Sequence, residues 1–216
     1  MKRKKPQISV HLNQNQSALD VFIRADVDEY DVNGFLFSDE IMDHLPISDV
    51  EIAGCIFINC RFYNCEFEGV SFHNCIFKNC DFSFLNMSQG TISNSEIIES
   101  NFTGLNLTYG VMNQVLFRSS VCRHANLSQT RITDTSFEHT DLTSASIDST
   151  RLKNVEFHNC DLTSVDFSHT SLRGIDLRSN RLDRMVFFGG ELEGAVIDRR
   201  QAISLVELLG IRVEDD

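Results

Sequence analysis

The sequence predicts an all-β fold, a solenoid of short strands wound into stacked coils and closed at its C-terminal end by an α-helix. Three observations predict it. Every fifth residue from Phe22 to Ile197 is apolar without a slip, and fourteen of the 17 phenylalanines fall in that column. The column two residues earlier, from Leu45 to Ala195, carries no charge and is filled mainly by small or apolar residues, among them Cys55, Cys60, Cys65, Val70, Cys75 and Cys80. The position two residues after each large one is rich in Asn and Gly, as at Asn59, Asn64, Gly69, Asn74, Asn79, Gly104, Asn154 and Asn159. Neither the period of about 3.6 of a helix nor the uninterrupted period of about 2 of a strand produces this pattern.

Each pentad reads as a three-residue extended piece pointing in, out and in, followed by a two-residue corner that resets the phase. Asn and Gly suit the corner because both tolerate tight-turn backbones. Pentads that each turn a corner close into a coil, and coils stack through backbone hydrogen bonds at about 4.8 Å per layer. The large residues then form interior ladders, with Phe57, Phe62, Phe67, Phe72, Phe77, Phe82, Phe102, Phe117, Phe137, Phe157 and Phe167 as their aromatic members. The period alone leaves open whether three, four or five pentads complete a coil.

Asp141-Leu142-Thr143-Ser144-Ala145, Ala125-Asn126-Leu127-Ser128-Gln129 and Val165-Asp166-Phe167-Ser168-His169 resemble the pentapeptide-repeat family, whose consensus is Ala-(Asp/Asn)-Leu-X-X. The resemblance covers residues 47–197 and implies a right-handed quadrilateral β-helix with four pentads per coil. At that spacing Cys55 stacks on Cys75 and Cys60 on Cys80. All seven cysteines sit in inward columns, lack CxxC pairs, and read as buried free thiols that behave as small hydrophobes.

The ends differ from the body. Residues 1–16 show no pattern and read as a flexible or loosely packed arm. Residues 17–46 keep the large column but lose the small one, with Asp20, Tyr30, Phe35 and Glu40 in it, and read as an irregular acidic extension, a hairpin capping the first coil. In residues 198–216, Asp198 and Gln201 have capping-box spacing, and an apolar stripe of Ala202, Ile203, Leu205, Val206, Leu208 and Leu209 precedes Gly210. This predicts a helix that seals the core, with enough surplus apolar surface to meet a second chain. Arg200 to Val213 also resembles the C-terminus of the Qnr group, the gyrase-protecting pentapeptide-repeat proteins. That resemblance implies a homodimer through the C-terminal ends, with Ile203, Leu205, Val206, Leu208 and Leu209 at the interface. It further implies a rod with the outline and acidity of B-DNA that engages DNA gyrase or topoisomerase IV and protects it from quinolones or natural poisons. The unbroken phase resembles the members without projecting loops.

The net charge of −12 argues against direct nucleic-acid or membrane binding and favours a basic partner. Met1 to Pro6 is basic, but no apolar segment follows it, so no signal peptide is expected and a cytoplasmic location is read. His73, His124, His139, His158 and His169 fall in outward or corner columns without a facing carboxylate constellation. No nucleophile, phosphate loop or metal-ligand spacing stands out, so neither an enzyme nor a cofactor is expected. Placed on a four-pentad coil, the charges are polarised. The face built on Phe67 shows Glu66, Glu68, Asp148 and Asp166 with no Lys or Arg, and the face built on Phe62 adds Asp81, Asp141 and Asp161 against Arg61 and Arg123. The other two faces hold Lys78, Arg118, Arg131, Arg151, Lys153, Arg173 and Arg178. A scaffolding solenoid with another protein partner is the alternative reading, since a fold does not set its function.

Overall fold

The computed structural model describes residues 3, 5–28 and 30–214; Met1, Lys2 and Lys4 of the basic arm, Glu29, and the terminal Asp215 and Asp216 lie outside them. The chain winds into a parallel β-solenoid whose strand partners lie 20 residues apart, as in the pairs Val32↔Ile52, Ile52↔Phe72 and Ile132↔Leu152. Each coil therefore takes four pentads, and every pentad meets the one directly above it.

Two of the four pentad positions form continuous sheets. One joins Val32–Asn33, Glu51–Ala53, Ser71–His73, Thr91–Ser93, Val111–Asn113, Arg131–Thr133 and Arg151–Lys153. The next joins Leu36–Ser38, Ile56–Ile58, Ile76–Lys78, Glu96–Ile98, Leu116–Arg118, Ser136–Glu138 and Glu156–His158. We call these the strand faces. On the other two positions only the pair Ile41–Asp43 and Arg61–Tyr63 is extended; above it the coils touch through single bridges such as Asp81↔Asn101 and Asn86↔Asn106. There the large residue's carbonyl accepts from the N–H three residues on, as Leu85 donates to Phe82 at 3.2 Å and Ala145 to Leu142 at 2.9 Å. We call these the turn faces.

The corner two residues after each large residue has positive φ almost throughout, including at bulky residues such as Phe84 (φ 58°) and Tyr109 (φ 60°). Asn and Gly were the legible corners, but stacking imposes the same backbone on the rest. Glycine is compulsory elsewhere: a Cβ at Gly110, in the small column, would lie 2.7 Å from the Gly90 carbonyl oxygen.

The core is one ladder system running the length of the coils, and all eleven phenylalanines named above are buried in it. Rings stack between coils, as in Phe62–Phe82 at 4.2 Å and Phe117–Phe137 at 4.9 Å, and meet edge-on within a coil, as in Phe72–Phe77 at 5.1 Å. The small column has a second task besides filling space. Its Cys, Ser and Thr side chains donate to the carbonyl 23 residues earlier: Cys75 Sγ to Ile52 at 3.3 Å, Thr130 Oγ1 to Leu107 at 2.8 Å, Thr170 Oγ1 to Ile147 at 2.6 Å. Buried polar groups need partners, and here the neighbouring coil's backbone supplies them. Asn180 stands in the same column and bonds the Phe157 carbonyl at 2.9 Å.

The N-terminal region departs from the sequence reading in three ways. In place of a hairpin, residues 17–46 contain a helix, α1 (Ala18–Asp28), followed by strands of the first coil, so the solenoid begins at Val32 and not at residue 47. Helix α1 buries Ala18, Val21, Phe22 and Ala25, and the Phe22 ring lies 5.5–6.4 Å from those of Phe37, Phe57, Phe62 and Phe67. Val27, in phase with the large column, is instead 73% exposed on the helix's outer side. The arm is not loose either. Asn13 bridges Phe35, the Gln7 N–H donates to Asn74 Oδ1 at 3.2 Å, and the half-buried Arg3 pairs with Glu96 at 2.8 Å. It climbs the corner between the two strand faces.

At the other end, α2 (Arg199–Leu208) starts with the expected capping box: Asp198 accepts from the Arg200 and Gln201 N–H groups, and Gln201 Oε1 accepts from the Asp198 N–H. Gln201 Nε2 also donates to the carbonyls of Leu177 and Asn180 at 2.9 and 2.8 Å, tying the helix to the backbone of the last coil; the Leu177 carbonyl also accepts from the Asn180 N–H at 3.0 Å.

Candidate partner-binding surface

All seven acidic candidates lie on the turn faces, and for four of them the local reason is a turn-closing hydrogen bond. On these faces the residue before the large one closes the tight turn with its own side chain: Asp81 accepts from Ser83 N–H at 3.0 Å, Asp141 from Thr143 at 3.0 Å, Asp161 from Thr163 at 2.9 Å and Asp166 from Ser168 at 2.9 Å. Asn86, Asn101, Asn106 and Asn126 do the same in other coils. Asp and Asn are thus equivalent for the turn, and the (Asp/Asn) of the consensus was the signal for it. The choice of Asp adds only charge.

Part of that charge is neutralised within the chain. Arg123 Nε meets Asp141 at 2.6 Å, Arg181 lies between Asp161 at 3.6 Å and Asp183 at 2.6 Å, and His169 Nδ1 lies 2.9 Å from Asp148. Burial opposes ionisation of Asp141, but the hydrogen bonds from Thr143 and the guanidinium of Arg123 outweigh it and hold the carboxyl below its usual range. The His169 imidazole lowers Asp148 in the same sense, and Asp148 raises His169. Glu66 and Glu68 sit near the N-terminal end, where they accept from Asn86 and Gln89 and, among the described residues, face no cation within ion-pair distance. The structure therefore gathers the seven residues onto two adjoining faces but not into one uniform field. Sequence reasoning missed Arg181 and Asp183, which lie on the Asp161 face one coil further on and were legible from the same period.

The second candidate surface is the C-terminal end. Of the five residues assigned to an interface, Leu205 is 2% exposed and packs into its own core, which corrects its placement there: it is the one side chain of α2 that the coil end buries. Val206 is half-buried. Ile203, Leu208 and Leu209 are 43–45% exposed and continue into Ile211 (54%) and Val213 (43%). Phe188, from the last coil, is 72% exposed and packs against His169 at 5.4 Å. Beneath this end the buried Glu191 carboxylate accepts from the N–H groups of His169 and Phe188 at 3.1 and 3.0 Å.

The seven cysteines are free and buried. Burial raises the thiols of Cys55 and Cys160 to about 11 and lifts Cys75 and Cys122 further. Among the described residues no group of three His, Cys, Asp or Glu side chains could hold a metal ion, and no helix is long and apolar enough to cross a membrane.

Among solved structures, the chain is similar to a trypsin-treated variant of QnrB1, a plasmid-mediated fluoroquinolone resistance protein, at 20% identity over 86% of this chain and 98% of that one, with a TM-score of 0.53. Full-length QnrB1 matches at 18% identity over 82% and 99%, with a TM-score of 0.44. HetL, a pentapeptide repeat protein involved in heterocyst differentiation regulation from the cyanobacterium Nostoc, matches at 11% identity over 85% and 98%, with a TM-score of 0.38. At 20% identity the likeness to the first of these is one of fold alone. No curated protein matches the chain significantly. The family model for the pentapeptide repeat region matches residues 70–147 and 130–203, which together exceed half of the chain. With partners 20 residues apart on every face and the repeat matched over that span, the chain belongs to the pentapeptide-repeat family.

Proposed function

We propose that this chain is a non-catalytic, DNA-mimic-like binding protein of the loop-less Qnr type, which engages DNA gyrase or topoisomerase IV and protects it from quinolones or natural poisons. In this reading the coil is a right-handed, four-sided β-helix, two copies join through their C-terminal ends in the cytoplasm, and the turn faces of the doubled rod meet the enzyme. The observation that carries it is the apolar end formed by Ile203, Leu208, Leu209, Ile211 and Val213, which exceeds what one end cap needs. The tail's resemblance to the Qnr C-terminus supports the same arrangement. Charge density alone supports it less. Residues 51–198 carry 18 acidic and 11 basic residues, whereas B-DNA carries on the order of 20 charges over the ~36 Å such a stack spans. Shape and the polarised faces must supply the rest.

The internal ion pairs of Asp141, Asp148 and Asp161 favour the second reading, a scaffolding solenoid that recognises some other protein. A supercoiling assay with purified gyrase, with and without ciprofloxacin, separates the two. Restored supercoiling in the presence of drug supports the first reading; a protein that neither binds nor protects either topoisomerase supports the second.

A further inference from the structure

The first strand face carries a basic ladder that stability does not account for. Arg131 and Arg151 stand directly opposite each other in the parallel register, and Lys153 follows on the same coil, opposite Thr133. All three are exposed. Like charges in register on neighbouring strands, about 4.8 Å apart, destabilise a sheet. Elsewhere the coils avoid this by placing an acid beside the arginine: Glu138 beside Arg118 at 2.9 Å, Asp141 beside Arg123 at 2.6 Å, Glu193 beside Arg173. Arg131, Arg151 and Lys153 have no acid within ion-pair distance among the described residues. The nearest acids in sequence are engaged, Asp134 by Asn154 at 2.9 Å and Asp148 by Ser149 and His169.

Beside the ladder runs a groove of about 430 Å³ lined by Tyr109, Gln129, Arg131, Ser149 and Arg151. Tyr109 is 63% exposed, and Gln129 Nε2 donates to its hydroxyl at 3.1 Å, which fixes the ring at the groove's edge. Two guanidinium forks one strand apart match phosphate oxygens, which accept such forks two bonds at a time. An exposed aromatic ring within reach of those forks offers the flat surface on which an unpaired base stacks.

We propose that Arg131, Arg151, Lys153 and Tyr109 form a binding site for a segment of single-stranded nucleic acid, the three cations holding phosphates and the ring holding a base. The expectation of no direct nucleic-acid contact rested on the net charge of the whole chain, and that sum hides local placement: three exposed cations on two neighbouring strands of one face make this patch positive. The site is independent of topoisomerase binding, so it stands or falls without it.

The test is fluorescence anisotropy with a fluorescein-labelled oligothymidylate of about eight nucleotides, using the full chain at about 50 mM salt. Saturable binding is expected, with log K falling against log salt at a slope of about −2 for three phosphate contacts. The double variant Arg131→Glu, Arg151→Glu should weaken binding at least about tenfold, with an unchanged circular dichroism melt because both side chains are exposed. Tyr109→Ala should weaken the oligonucleotide at least about fivefold and leave tripolyphosphate binding unchanged. No binding by the wild type, equal binding by the double variant, or an oligonucleotide affinity indifferent to Tyr109 overturns the proposal. So does stronger binding of labelled polyglutamate, which reassigns the patch to an acidic protein surface.

Discussion

Both ends of the coil stack are covered by a helix, yet the two helices are bound to it differently. Helix α1 drives one aromatic ring and three small or branched side chains into the first coil, and Phe22 touches four other phenylalanines there. Helix α2 commits a single fully buried side chain, Leu205, and otherwise seats itself by hydrogen bonds from Gln201 to the carbonyls of Leu177 and Asn180. An end cap has to keep water from the core and satisfy the last coil's backbone. The N-terminal helix does the first thoroughly; the C-terminal helix does mainly the second and keeps its apolar face outward. Both helices leave apolar side chains exposed, Leu19, Ile23 and Val27 on α1 and Ile203 and Leu208 on α2, so the contrast lies in how much each buries, and the lightly held end is the one proposed as a joint between two copies.

Substitutions can break or sharpen this contrast. The largest effect is expected at the sealed end, where Phe22→Ala should cost about 3–5 kcal/mol in denaturant unfolding because the cavity lies among stacked rings that cannot collapse; a loss under about 1 kcal/mol would mean that α1 is not a plug. At the other end Leu205→Ala should cost about 2 kcal/mol, the low side of the range for a buried leucine, since only one wall of its site belongs to the coil. Acid should act on the C-terminal end through Glu191. Burial opposes its ionisation, but the N–H groups around it outweigh that and hold its pKa below the usual glutamate value. Its contribution is therefore fully present above the unfolded-state pKa and lost as pH falls through the lower folded value, so the Tm difference between wild type and Glu191→Gln should shrink on acidification through that window. The pair Leu208→Glu and Leu209→Glu should shift stability by about 0.5 kcal/mol or less, yet convert the proposed dimer to a monomer in sedimentation velocity; an unchanged sedimentation coefficient removes the joint. The finest comparison uses the thiols. At neutral pH maleimide should label none of them quickly, and on warming Cys160, near the lightly held end, should react before Cys75, beneath the sealed one.

Most of the coil was legible because one period governs it: a residue's phase determines whether it points in, points out or turns. The legibility failed where a second period overlapped the first. Ala18, Val21, Phe22 and Ala25 have helical spacing, but Phe22, Val27 and Val32 also continue the count of five. Phe22 satisfies both patterns and Val27 only the second, and the structure sides with the helix. The acidic faces were legible as positions and illegible as a field, since whether Arg123 or Arg181 folds onto a neighbouring carboxylate is a matter of rotamers that no period records. Leu205 failed for a related reason: a stripe of six apolar residues along α2 and its C-cap does not say which of them the coil end takes.

The arm has a consequence for how such a stack comes apart. Coils that touch only their neighbours unzip from either end, one layer after another, with the strength of each contact counting separately. Here Asn13 pairs with Phe35 in the first coil, Gln7 reaches Asn74 and Arg3 reaches Glu96, so one segment is tied both to the first layer and to two later, adjoining layers that the first does not touch. Losing the first coil then loosens the arm from the later ones, and fraying at Asn74 tugs on Phe35. A chain of pairwise links becomes, along this corner, a laced seam whose N-terminal layers open together or stay shut.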